Sequence, residues 1–184
     1  MNKRIYLCLA HMSGNEQKFI QKAFDTNWVV PLGPNVNGFE ADLKAFVESG
    51  KDISREIVAL ASGTSAVHLA LILCGVGPGD EVIVQDFTFC ASSHPVRYLG
   101  ATPVFVDSER ESWNMDPDLL EEAIKDRLAK TGKKPKAIVP VALYGMPYRI
   151  DRIMEIADRY GIPVIEDAAE GFGSRFDGQV LGTF

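Results

Sequence analysis

Cysteine is scarce in this chain of 184 residues: Cys8, Cys74 and Cys90 are odd in number and far apart. They suit neither a disulfide framework nor a thiolate metal site, and they point to a reducing, cytoplasmic setting. Histidine is equally thin, and His11, His68 and His94 have no metal-ligand spacing. No apolar run approaches the ~20 residues needed to cross a bilayer. The opening Met1-Asn-Lys-Arg-Ile-Tyr is charged, and its apolar run is cut short by His11 without a signal-cleavage pattern. Positive charge is in deficit: 19 Lys and Arg stand against 25 Asp and Glu, and the net charge of −6 disfavours a phosphate backbone as partner. The densest basic stretch, Lys130 to Lys136, falls between a helix and a strand and reads as a solvated loop. Metal, nucleic acid and membrane are therefore not expected as partners.

What is present is an ordinary globular balance, 46% hydrophobic and 24% charged residues, with room for one domain and a real core. Ser13-Gly-Asn-Glu16 reads as a capping box opening a helix with Phe19, Ile20, Ala23 and Phe24 on one face. Residues 27–37, with Pro31, Gly33 and Pro34, read as an extended loop, and a second helix is expected over about 38–49. Beyond these the pattern alternates. Strands are expected at 57–61, 79–84, 102–106, 137–141 and 162–167. Helices are expected at 64–74, about 92–99, from Asp116-Pro117 onward, and at 150–160 with Gly161 as its stop. Near-continuous apolar strands alternating with helices argue for an α/β fold, a parallel or mixed sheet sandwiched by helices. The last stretch, Asp177-Gly-Gln-Val-Leu-Gly-Thr-Phe184, looks like the approach to another strand.

Two places carry chemistry. Ser62-Gly-Thr-Ser65 stands where a strand gives way to a helix, so small residues, hydroxyls and free helix N–H groups would welcome a phosphate. The same residues also serve as a plain Ser/Thr N-cap. Ile162-Pro-Val-Ile-Glu-Asp167 delivers a carboxylate to the carboxyl end of a buried strand, where open α/β sheets bind ligands. Asp167 there either faces a pyridine nitrogen, an interaction of roughly 4 kcal/mol at intermediate dielectric, or caps the following turn. Together the two places suggest a pyridoxal phosphate site. Glu166, beside Asp167, points the other way and is expected to pair with a surface cation. Phe89, in Phe87-Thr-Phe89 at the end of the second strand, is either a stacking partner for a planar cofactor or a core aromatic. Trp28, in Asn27-Trp-Val-Val30, is either a substrate or subunit contact or a cover for the domain edge.

With these positions in order, the chain resembles the pyridoxal-phosphate sugar aminotransferases of the DegT/DnrJ/StrS class, over about residues 11–184. The motifs that carry the resemblance are Val30-Pro-Leu-Gly-Pro34, Ser62-Gly-Thr-Ser-Ala66, Gly77-Pro-Gly-Asp-Glu-Val82, Phe87-Thr-Phe89, Pro103-Val-Phe-Val-Asp107, Leu143-Tyr-Gly145 and Ile165-Glu-Asp-Ala-Ala-Glu170. The resemblance implies an incomplete large domain of the aspartate-aminotransferase-like (type I) fold. The rest of that domain and the small C-terminal domain would be absent. It implies pyridoxal 5'-phosphate held at Gly63, Thr64 and Ser65, with Phe89 stacked on the ring and Asp167 on the ring nitrogen. Glu170 would stand near the phenolic oxygen, where relatives often have Gln or His. Asn27, Trp28, Val29, Val30 and Gly63 would touch a nucleotide-sugar substrate. The implied reaction moves an amino group, from glutamate as donor, to a UDP-4-keto-6-deoxy sugar of the bacillosamine type, for surface-polysaccharide or glycan synthesis, in a cytoplasmic homodimer.

One departure is large. The family's Schiff-base lysine follows the Asp167 segment in a Ser-x-x-x-x-Lys setting, and here no lysine follows Lys136. Ser13 and Lys18 share that spacing only by coincidence, since they precede the whole sheet. The 184 residues alone are therefore expected to be inactive. The alternative is a non-catalytic binding or regulatory remnant of the same family. A doubly wound nucleotide-binding domain without the cofactor is a third reading, opposed by the lack of G-x-G-x-x-G after the first strand.

Overall fold

The computed structural model describes residues 4, 6, 10–49 and 54–184; Cys8 lies outside them. The chain divides into two compact units. The first holds the described residues up to Ala45 together with 57–59, and the second holds the remainder.

In the first unit, α1 (Glu16–Asp25) has Asn15 as its N-cap, two residues later than the capping box implied. Glu16 sits at the first helical position and turns its carboxylate back onto the N–H groups of Ser13 (2.6 Å) and Gly14 (2.9 Å). Its own backbone N–H, and then these bonds, hold its carboxyl below the usual range. The expected apolar stripe is there, but α1 buries none of it: Phe19, Ile20 and Phe24 are exposed. α2 (Pro34–Val47) starts four residues before its expected place, because Pro34 occupies the first turn rather than the loop. Residues 57–59 are not a strand, and among the described residues they have no ladder partner. Ala59 N–H donates instead to the Glu40 carboxylate at 2.8 Å.

The second unit is built on a three-stranded parallel sheet of β1 (Glu81–Gln85), β2 (Thr102–Val106) and β3 (Ala137–Val139), in the order β2-β1-β3. Residues 162–167 run alongside β3 as isolated parallel bridges, Ile138 to Val164 and Val141 to Asp167, not as the full strand expected. Side chains alternate across the pleat and feed two cores. Ile83 and Ile138 face α5 (Pro117–Thr131) and α6 (Ile150–Tyr160), while Val82, Val84, Ala137 and Val139 face α3 (Gly63–Leu73) and α4 (His94–Tyr98). The β1-to-β2 connection uses α4 on one face, and the return from β2 past β1 to β3 uses α5 on the other. Uniform crossover handedness requires this arrangement when the chain reverses direction across a sheet.

Local signals account for the helix ends. Asp116 caps α5, its Oδ1 accepting from the N–H of Asp118 (2.8 Å) and Leu119 (3.2 Å), and left-handed Gly132 and Gly161 close α5 and α6. In α6, Ile150, Ile153, Ile156 and Ala157 form one buried face. Past residue 174 the chain makes a small antiparallel hairpin, β4 (Arg175–Phe176) and β5 (Gln179–Val180). It turns at Asp177-Gly178, whose φ values of 47° and 79° match a two-residue hairpin turn. Among the described residues, no helix is long and apolar enough to cross a membrane.

Candidate active site

The carboxyl ends of β1, β3 and residues 164–167 lie side by side, and the chain leaves each of them as a loop. Phe87-Thr88-Phe89 belongs to the loop after β1, since the strand itself stops at Gln85. Gln85 is fully buried and ties the loops together. Its Nε2 donates to Phe87 O (2.9 Å), and its Oε1 accepts from Met115 N (2.8 Å) and Val141 N (3.4 Å). Asn114, also fully buried, accepts from Leu143 N (2.9 Å) and donates to Met146 O (2.9 Å). Left-handed Tyr144 (φ 51°) and Gly145 (φ 82°) carry the loop after β3 through its bend.

The N-terminus of α3 opens into this region. Ser62 is its N-cap, accepting from Ser65 N at 3.2 Å, and the N–H groups of Gly63 and Thr64 remain for a ligand. A Cβ added at Gly63 would meet nothing within 4 Å, so the approach is open. α3 packs against the 3-10 turn Cys90–Ser92. Phe89 caps that turn with its ring exposed, and Ser92 N–H donates to Phe89 O at 3.1 Å. From the same turn the buried Ser92 hydroxyl donates to Asp167 Oδ2 at 2.7 Å, while Asp167 Oδ1 accepts from Ala169 N at 3.2 Å. Asp167 thus keeps lone pairs for one more donor. A helix that begins with open N–H groups, an uncovered aromatic ring and a carboxylate with accepting capacity all belong to segments that meet one 3-10 turn. They fit the phosphate, ring and ring nitrogen of pyridoxal phosphate. Ser92 and Gln85 escaped the sequence reading. The only signal for either was Ser92's place three residues after Phe89.

Glu166 corrects an expectation. Among the described residues it pairs with no cation; its Oε2 accepts from Phe184 N at 3.3 Å, and its Oε1 is buried without a protein partner. Burial raises its carboxyl above the usual glutamate range, against the lowering effect of the N–H groups of Gly182, Phe184 and Thr183. Tyr148, whose Oη is likewise buried without a protein partner, is pushed upward by burial and then by the charge of Glu166. Glu170 accepts from Tyr144 N, so it braces the left-handed bend. Asn27, Trp28, Val29 and Val30 belong to the first unit. There Asn27 is left-handed (φ 58°), and Trp28, Val29 and Val30 line an apolar groove with Ile20 and Phe24. The Trp28 ring lies so close to Gly33 that a Cβ there would come within 2.8 Å of it. Among the described residues no group of three or more His, Cys, Asp or Glu could hold a metal ion.

The DegT/DnrJ/EryC1/StrS aminotransferase family matches residues 11–184. EpsN of Bacillus subtilis, provisionally named a pyridoxal phosphate-dependent aminotransferase, is 47% identical over the whole chain and 46% of its own length. GDP-perosamine synthase of Caulobacter vibrioides is 40% identical over 98% of the chain and 45% of its own length. A solved DegT/DnrJ/EryC1/StrS aminotransferase from Brucella abortus superposes with a TM-score of 0.80 at 35% identity, over 94% of this chain and 48% of that one. The chain spans less than half the length of these relatives. Its architecture is the aspartate-aminotransferase-like α/β fold that the resemblance implied. By sequence and by fold, the chain belongs to the DegT/DnrJ/EryC1/StrS aminotransferase family.

Proposed function

We propose that these residues form the cofactor-binding part of a pyridoxal phosphate-dependent aminotransferase acting on a nucleotide-linked sugar. The observation that carries the reading is the 3-10 turn, which packs against α3, the helix that starts at Gly63, and bonds Asp167 through Ser92. When bound, pyridoxal phosphate supplies an electron sink for bonds broken at the substrate carbon. The chain's own residues bind and orient. Gly63 and Thr64 offer N–H groups to the phosphate dianion, with Ser65 beside them. Phe89 would stack on the ring, and Asp167 would keep a proton on the ring nitrogen. Glu170 fixes the bend at Tyr144 beside the ring's polar edge, and Gly63 faces the sugar nucleotide.

For the substrate we propose a UDP-4-keto-6-deoxy sugar, with glutamate as donor, in the cytoplasm. The perosamine synthase relative supports a nucleotide sugar as a class, although its name specifies GDP. Leu69, Ile72 and Leu73, exposed on the outer side of α3, support self-association as a homodimer. No lysine follows Lys136, so the 184 residues are expected to bind the cofactor reversibly without turnover. The test is a titration of the purified protein with pyridoxal phosphate, followed by absorbance. Saturable binding should weaken about ten- to a hundredfold in Asp167→Ala with helix content unchanged, on the scale of a lost charge-assisted bond. Absence of binding to the unaltered protein would sink the reading, and steady amination of a UDP-4-keto sugar by these residues would sink the claim of inactivity.

A further inference from the structure

One polar chain beside the site, buried at its centre, is not explained by packing. Ser92 is 1% exposed, yet its hydroxyl lies 3.0 Å from the Thr88 hydroxyl and 2.7 Å from Asp167 Oδ2. A carboxylate only accepts, so the single Ser92 hydrogen goes to Asp167. The Ser92 oxygen therefore accepts from Thr88, and the chain has one direction: Thr88 to Ser92 to Asp167. Its backbone is tied as well, because Ser92 N–H donates to Phe89 O and Thr88 N–H donates to Asp86 O. One residue thus fixes both the segment that presents the Phe89 ring and the carboxylate 75 residues further along.

We propose that Ser92 is a positioning residue that aims Asp167 at the cofactor's ring nitrogen and sets the separation between that carboxylate and the Phe89 ring. The proposal rests on the cofactor reading above. Among the described residues, a carboxylate freed of Ser92 keeps the Ala169 N–H alone, on its other oxygen, and can rotate about its side-chain bonds. Its contact with a ring N–H would then be made in only a fraction of its rotamers. Thr88 contributes at one remove by polarising the Ser92 hydroxyl.

The test is equilibrium binding of pyridoxamine phosphate, whose amine needs no lysine partner, compared with a carbocyclic analogue in which C–H replaces the ring nitrogen. Ser92→Ala should weaken pyridoxamine phosphate about tenfold or more while changing the carbocyclic analogue less than roughly threefold. Thr88→Val should give a smaller loss with the same selectivity, and it carries the test if Ser92→Ala does not fold. In an Asp167→Asn background, Ser92→Ala should add no further selective loss. Equal losses for both ligands would mean a merely structural hydroxyl and would overturn this inference while leaving the cofactor reading intact. Failure of the unaltered protein to bind either ligand would overturn both.

Discussion

Glu166 and Asp167 are neighbours in sequence with opposite surroundings. Asp167 turns to a rim of hydroxyl and amide donors, whereas Glu166 turns under residues 182–184 toward buried Tyr148. The strand period of two made that opposition legible. The partner of Glu166 was not, because the amides that receive it come from a segment folded back from 16 to 18 residues away. The raised carboxyl has a consequence for stability. The folded state holds the Glu166 proton more tightly than the unfolded chain does, so its contribution is complete below the ordinary glutamate range. It is lost as pH rises through the elevated folded value. Carboxyls lowered by their partners, such as Glu121 bonded to Lys125 and Asp126 bonded to Lys130, act in the opposite sense. The difference between parent and Glu166→Gln isolates the term. Thermal midpoints measured across mildly acid to neutral pH should fall more steeply for the parent, and parallel curves would refute the assignment.

At the scale of elements, bounds followed from the sequence where a local residue type forces a backbone conformation. Asp116 and Pro117 open α5, and Gly161 stops α6, where expected. Pro34 misled because the same ring that breaks a helix interior is well suited to its first turn. The strands depended on partners, which no local pattern supplies: 102–106 found β1 along its whole length, whereas 57–59 found no ladder among the described residues. The residues proposed for the cofactor, 63–65 and 167, stood out in the sequence because each belongs to a short motif at an element boundary. Ser92 and Gln85 were not, since what they do depends on residues 30 to 75 positions distant. Packing of α6 is tested at Ile153, which is fully buried in the core shared with α5 and the sheet. Ile153→Ala should cost about 2–5 kcal/mol in denaturant unfolding. A loss below about 1 kcal/mol would mean that α6 is not anchored there.

For the second unit as a whole, the sheet separates two cores, and the site loops emerge at its carboxyl edge, where the fully buried side chain of Gln85 lies among them. Their order therefore depends on the Gln85 carboxamide, which collects the loop after β1, the loop before α5 and the loop after β3 on one side chain. Opening of this rim should be concerted. In native-state hydrogen exchange the amides of Met115 and Val141 should share one opening free energy, below that of the strand interior. Gln85→Met, similar in volume but without polar atoms, should accelerate both together, and acceleration of only one would contradict this. Selection could then retune how freely the rim breathes through this one fully buried side chain.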